Sequence, residues 1–162
     1  MDNKQIILNS SEIINKINRI AFSIIEDYYK ETEITIVGLK KNGHIIGDLL
    51  KKTVEKNHSI KVHLHKIKIT EESYIIEPKL NINRQKNIFL VDDVLKSGRT
   101  MIYGVKELLQ YDVDNLKTII LVNRNHNKFP IRADYVGLNL STTLKEHIKV
   151  IMNSGKEIAY LV

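Results

Sequence analysis

Apolar residues recur at helical spacing over residues 11 to 29, where Ile13, Ile17, Ile20 and Ile24 form one stripe flanked by Ile14, Ala21, Ile25 and Tyr28. The spacing predicts an amphipathic helix, with serines at its start to cap it. Three short β-branched runs follow, "ITIVGL" (34–39), "NIFLVDD" (87–93) and "TIILVN" (118–123). They are too short for helices and read as buried parallel strands. Helical spacing returns after the first two, through Ile45, Ile46, Leu49, Leu50 and Val54, then through Met101, Ile102, Val105, Leu108 and Leu109. Strand, loop, helix, strand is the grammar of a doubly wound α/β sheet. The stretch "SIKVHLHKIKI" alternates but changes phase between Leu64 and Ile67, which predicts a bulge or bend. At the end, "HIKVIMNSGKEIAYLV" predicts a hairpin turning at Asn153 to Lys156.

Composition narrows the class. The 162 residues suit a single domain, 1–162, without repeats or Pro/Gly-rich linkers, and 43% hydrophobic with 27% charged residues is ordinary for a soluble chain. No run has the length of a membrane span, and "MDNKQIILNS" is too short and polar for a secretory signal, so a cytoplasmic location is expected. The absence of cysteine excludes disulfides and thiolate chemistry, leaving oxygen or imidazole for any metal. Oxygen ligands point towards Mg²⁺. The formal charge of +6 suits an anionic partner, a phosphorylated small molecule or nucleic acid, or reflects only a solvated basic surface.

Ligands of open α/β sheets bind where strands end and helices begin. Three polar loops are expected at such ends: "GLKKNGH" (38–44), "DDVLKSGRT" (92–100) and "NRNHNKFPIRADY" (123–135). The middle one is the most specific. Gly98 permits positive φ and close backbone approach, Ser97 and Thr100 offer hydroxyls, and a helix opening near Arg99 offers free amides. Those parts make a monophosphate cradle, beside which Asp92 and Asp93 can bind vicinal hydroxyls or a hydrated Mg²⁺. The same residues also fit an ordinary βα turn in which the aspartates cap the backbone.

The stretch "IFLVDDVLKSGRT" resembles the 5-phosphoribosyl 1-diphosphate (PRPP) signature of type I phosphoribosyltransferases, and "ILVNRNHNKFPIRADYVGLNL" (120–140) resembles a distinctive segment of the bifunctional pyrimidine-operon regulators with uracil phosphoribosyltransferase activity. The resemblance implies a mainly parallel sheet flanked by helices, with a small hood and the C-terminal hairpin. It implies transfer of a phosphoribosyl group from PRPP, with Mg²⁺, to uracil or a related pyrimidine. Asp92 and Asp93 match the catalytic acids that hold the ribose and touch the metal, and Val94 and Lys96 to Thr100 (Lys96, Ser97, Gly98, Arg99, Thr100) match the rest of the PRPP site. Lys40, Lys41, Asn42 and Gly43 match the pyrophosphate loop. Asn123, Arg124, Asn125 and His126, with Val136 and Gly137, match the base pocket. A homodimer is expected by analogy alone.

Several positions depart from that pattern. Asn42 stands where the family carries an arginine, Asn123 and Asn125 replace an aspartate and a glycine, and "LHKIKITEE" (64–72) lacks the aspartate and arginine of the family's flexible catalytic loop. Arg132 matches a basic position of the regulators' RNA surface, whereas Leu138 replaces a lysine and Phe22 stands near a histidine. Fewer cations mean weaker, less salt-sensitive RNA binding. An enzyme therefore ranks first, a ligand-binding paralogue second and an RNA-binding regulator third. His63 and His65 alternate on a strand and share one side, as metal ligands or as solvent-facing residues. Tyr103 and Tyr111 are expected to pack, and Lys51 and Lys52 to solvate a helix face.

Overall fold

The computed structural model describes residues 5–71, 73–81, 85–141 and 146–162. A short strand, β1 (Gln5–Leu8), leads into helix α1 (Ser10–Tyr28), β2 (Glu33–Leu39) and α2 (Lys40–Asn57). An antiparallel pair follows, β3 (Lys61–Ile69) with β4 (Tyr74–Glu77), then β5 (Gln85–Leu95), α3 (Arg99–Leu108), β6 (Val113–Asn123) and β7 (Tyr135–Asn139). The hairpin β8 (Ile148–Ile151) and β9 (Ile158–Leu161) closes the order. Its turn is tied by the Lys156 amide to the Asn153 carbonyl at 2.8 Å, where the sequence places it.

Six strands make the main sheet in the order β4-β3-β2-β5-β6-β7, all parallel except β4. Three more, β1-β9-β8, make a small antiparallel sheet. This hood joins the two ends of the chain, and the sequence pattern anticipates only its hairpin.

Both faces of the main sheet are covered, which is why its strands read as continuous apolar runs. Ile36, Phe89, Val91 and Leu121 pack under α1 and α2, together with Ile148, Val150 and Ala159 of the hood. Val37, Ile88, Leu90 and Ile120 face Met101 and Leu108 of α3 and Ile76 of β4. Leu109, grouped with that helix by spacing, caps it and is exposed.

Helix α1 is rich in isoleucine, a mediocre helix former, yet Ile13, Ile17, Ile20 and Ile24 are buried. Burial of each stabilises by about 1.5–3 kcal/mol, which outweighs the propensity loss. The cap is not a serine: Asn9 accepts from the Glu12 amide at 3.0 Å while Glu12 accepts from the Asn9 amide at 2.8 Å. The reciprocal pair forms a capping box.

The phase change in β3 has a different cause from the predicted bulge. Its register with β2 runs without a shift from Glu33 opposite Lys61 to Leu39 opposite Ile67. Val62 and Leu64 face the α1/α2 side, whereas Ile67 and Ile69 face the α3/β4 side. One regular strand thus buries opposite faces at its two ends. His63 and His65 share a side as expected, but each has its own partner, Glu33 Oε2 at 2.8 Å and the Pro78 carbonyl at 2.6 Å.

Candidate active site

Strand β5 carries Asp92 and Asp93 to its carboxyl end, beside the opening of α3. Asp92 is 7% exposed. Burial, then the neighbouring Asp93 carboxylate, pushes its carboxyl well above the usual carboxylate range, opposed by the Asp93 amide and by Lys40. Asp92 Oδ1 accepts that amide at 2.9 Å, and Asp93 Oδ1 accepts the Val94 amide at 2.8 Å. The aspartates do cap backbone, as the bland reading of the turn requires. Each carboxylate nevertheless has acceptor capacity left for a ligand.

The chain then turns through Lys96 and Ser97 into Gly98, which takes φ 86° and caps α3. The opening turn leaves the amides of Gly98, Thr100 and Met101 without intrahelical acceptors, and the Arg99 amide leans on Ser97 Oγ at 3.3 Å. The Ser97 carbonyl receives the amides of Lys128 and Phe129 at 2.8 and 3.1 Å, and the Leu95 carbonyl receives that of Arg124 at 3.2 Å. The 123–129 segment is thereby fastened to the 95–98 turn.

These residues line a cleft of about 380 Å³. Asp92, Asp93, Val94, Lys96, Ser97, Gly98, Arg99 and Thr100 all border it, as does Lys40. Its opposite wall belongs to the hood, from Ile148 to Ile151 and Tyr160. Sequence reasoning missed that wall, because an alternating hairpin carries no sign of where it docks.

The first polar segment is not a loop: β2 ends at Leu39 and α2 begins at Lys40, which holds φ 53°. Lys40, Lys41, Asn42 and Gly43 therefore form a helical turn, and Gly43 lies against β5, where a Cβ would stand 2.4 Å from the Val91 carbonyl oxygen. Lys40 and Lys41 are exposed. The Asn42 amide donates to Asp93 Oδ2 at 2.8 Å and to the Val150 carbonyl at 2.9 Å.

None of the positions matched to the base pocket is in the lining of the cleft; the Asn123–His126 turn adjoins it through the bond from the Arg124 amide to the Leu95 carbonyl. Asn123 donates to Asn125 Oδ1 and Asn139 Oδ1 at 2.8 and 2.9 Å, and Asn125 takes φ 57°. Arg124 is buried and donates to the Glu146 carbonyl at 2.7 Å; His126 is half-buried. Val136 and Gly137 sit on β7, where their carbonyls accept from Arg19 at 2.7 and 3.1 Å. The region matched to the flexible loop forms most of β3 and its turn into β4; Glu72 lies outside the described residues. Beyond that turn Tyr74 stacks on Tyr103 of α3 with centroids 5.7 Å apart.

Over residues 3–153 the sequence matches the phosphoribosyl transferase domain family. The chain belongs to that family. Among related sequences, Bifunctional protein PyrR of Clostridium novyi (strain NT) is 33% identical, covering 94% of this chain and 93% of its own length. Bifunctional protein PyrR of Leuconostoc citreum (strain KM20) is also 33% identical, covering 100% of this chain and 99% of its own. The fold is that of type I phosphoribosyltransferases. Hypoxanthine phosphoribosyltransferase of Trypanosoma cruzi superposes with a TM-score of 0.78 at 17% identity, over 96% of this chain and 95% of that one. A hypoxanthine-guanine phosphoribosyltransferase of Bacillus anthracis gives 0.73 at 17% identity over 100% of both. Among the described residues, no helix of this member of the family is long and apolar enough to cross a membrane.

Proposed function

We propose that the protein transfers the 5-phosphoribosyl group of PRPP to a nucleobase, uracil or a related pyrimidine, and releases pyrophosphate. The observation that carries this reading is the meeting of two carboxylates and an amide-rich, glycine-capped helix opening in one cleft. A sugar phosphate presents a diol and an anion with matching chemistry. The likeness of residues 120–140 to the pyrimidine-operon regulators supports the choice of base.

The aspartates also suit Mg²⁺. They are hard oxygen donors, and Asp92 is buried beside a like charge. Ligand oxygens and water would complete the shell, as Mg²⁺ prefers. When bound, the ion would neutralise charge on the departing pyrophosphate.

The chain itself supplies position and electrostatics. Ser97, Gly98 and Thr100 hold the 5′-phosphate, with Lys96 and Arg99 at its rim. Asp92 and Asp93 take the ribose hydroxyls. Lys40 and Lys41 receive pyrophosphate as the bond at the anomeric carbon breaks, while a ring nitrogen of the base attacks from the far side. The hood supplies the facing wall of the cleft through Ile148 to Ile151 and Tyr160.

Incubation with PRPP, Mg²⁺ and a panel of bases tests the reading, with nucleotide formed from uracil or a close relative as the expected result. Absence of product with every base would remove it. One observation favours a second reading, a ligand-binding paralogue with weak turnover: both hydrogens of the Asn42 side-chain amide are engaged within the protein. Calorimetry showing PRPP or nucleotide binding without product would select that alternative. A salt-sensitive gel shift with leader RNA would add the regulatory role.

A further inference from the structure

Asn42 has two bonds that point to a role other than contact with pyrophosphate. Its partners, Asp93 Oδ2 at 2.8 Å and the Val150 carbonyl at 2.9 Å, can only accept, so the orientation of the amide is fixed by chemistry. They also lie on opposite walls of the cleft: Asp93 near the end of β5, Val150 within β8 of the hood. The second oxygen of Asp93 is held by the Val94 amide at 2.8 Å, so the carboxylate cannot turn without giving up a bond at each end. An arginine at this position would be longer and would bring a fixed charge. Asparagine has the reach of the gap and adds none.

We propose that Asn42 is a positioning residue, a neutral staple that joins the hood to Asp93, sets the separation of the cleft walls and presents the carboxylate to the ribose diol. The mechanical half of this inference stands alone; the half concerning the diol rests on the cleft being a PRPP site. Pyrophosphate capture by this first turn then falls to Lys40, which lines the cleft, with Lys41 beside it. The hood, built from both ends of the chain, becomes part of the binding machinery through one side chain.

The test compares Asn42→Ala, which removes both bonds, Asn42→Asp, which sets a like charge against Asp93, and Asn42→Gln, which keeps both donors on a longer stem. Hydrogen–deuterium exchange is followed in the ligand-free protein, and PRPP with Mg²⁺ is titrated by calorimetry alongside steady-state kinetics. Loss of a charge-assisted bond should raise exchange in β8 and β9 by roughly tenfold relative to β5 and weaken PRPP by a similar factor. KM for PRPP should rise by more than kcat falls, and Asn42→Gln should recover part of the affinity, which a space-filling role would not produce. Should Asn42→Asp fail to fold, Asn42→Ala alone decides. Exchange and affinity both within about twofold of wild type in Asn42→Ala would overturn the proposal, since a lost bond of this kind costs more. If the wild type binds no PRPP, the functional reading fails while the exchange measurement still judges the staple.

Discussion

Gly98 and Ile131 are packed so closely that a methyl group on the glycine would lie 2.4 Å from Ile131 Cγ2. The glycine at the cleft thus answers two demands, a left-handed backbone at φ 86° and the approach of the 129–131 segment. Gly98→Ala should cost about 1–2 kcal/mol for the backbone and about 1–3 kcal/mol for the overpacking. The double variant Gly98→Ala/Ile131→Ala should return only the steric share. Urea melts of the wild type, Gly98→Ala, Ile131→Ala and the double variant check this, and strictly additive losses would show that crowding is not the cause.

Asp92 makes a prediction about the protein free of ligand and metal. Its folded carboxyl titrates well above the unfolded value, so its contribution to stability is full below the unfolded pKa of about 3.9 and is lost as pH rises through the folded value. Asp92→Asn should therefore melt above wild type at neutral pH and converge with it in acid. It should also lose most affinity for PRPP. Melting curves from pH 4 to 8 decide, and parallel curves for the two proteins would reject the argument.

Glu157 shows the opposite sign. Its carboxyl is held below the usual range, first by the Ser10 hydroxyl that donates to Oε2 and also by the Gly155 amide, 3.0 Å from Oε1. Stability from this residue is present above the unfolded pKa and is lost as pH falls through the folded one. Glu157→Gln should lower the melting temperature at pH 7 and flatten the acid limb. The same variant should loosen the hairpin from α1, detectable as faster exchange at the hairpin turn.

Gly43→Ala would improve helix propensity at an interior position by about 1 kcal/mol. Even so, the variant should be destabilised, because the new Cβ would lie 2.4 Å from a backbone oxygen of β5 that cannot swing aside. Overpacking of this kind costs about 1–3 kcal/mol. Displacement of α2 would carry Lys40 with it, so a rise in KM for PRPP should accompany the lower melting temperature.

Which parts of this site are legible in the chain depends on the range of the interactions that make them. The two acids and the glycine turn are consecutive, and a strand followed by a helix brings them to one cleft by local geometry alone. Asn9 and Glu12 are three apart, and their capping box was in plain view behind the more obvious serines. The change of phase at Leu64 was visible too, but periodicity cannot distinguish a bulge from a strand with both faces covered. Most hidden were β1, four residues long, and the docking of the hairpin over the cleft. Those depend on pairing between distant segments, which no window of sequence displays. For the same reason the bond from Asn42 to β8, which spans 108 residues, is not visible in the sequence.

The pairing of Gln5 with Leu161 and of Ile6 with Tyr160 bears on the order of assembly. The parallel core can grow from neighbouring elements, whereas the hood must wait for strands from opposite ends to meet, a slow, high-separation event. A nascent or refolding molecule would thus possess the glycine turn that follows β5 before it possesses the wall opposite. On the function proposed above, capacity to bind phosphate should emerge earlier than capacity to enclose the sugar.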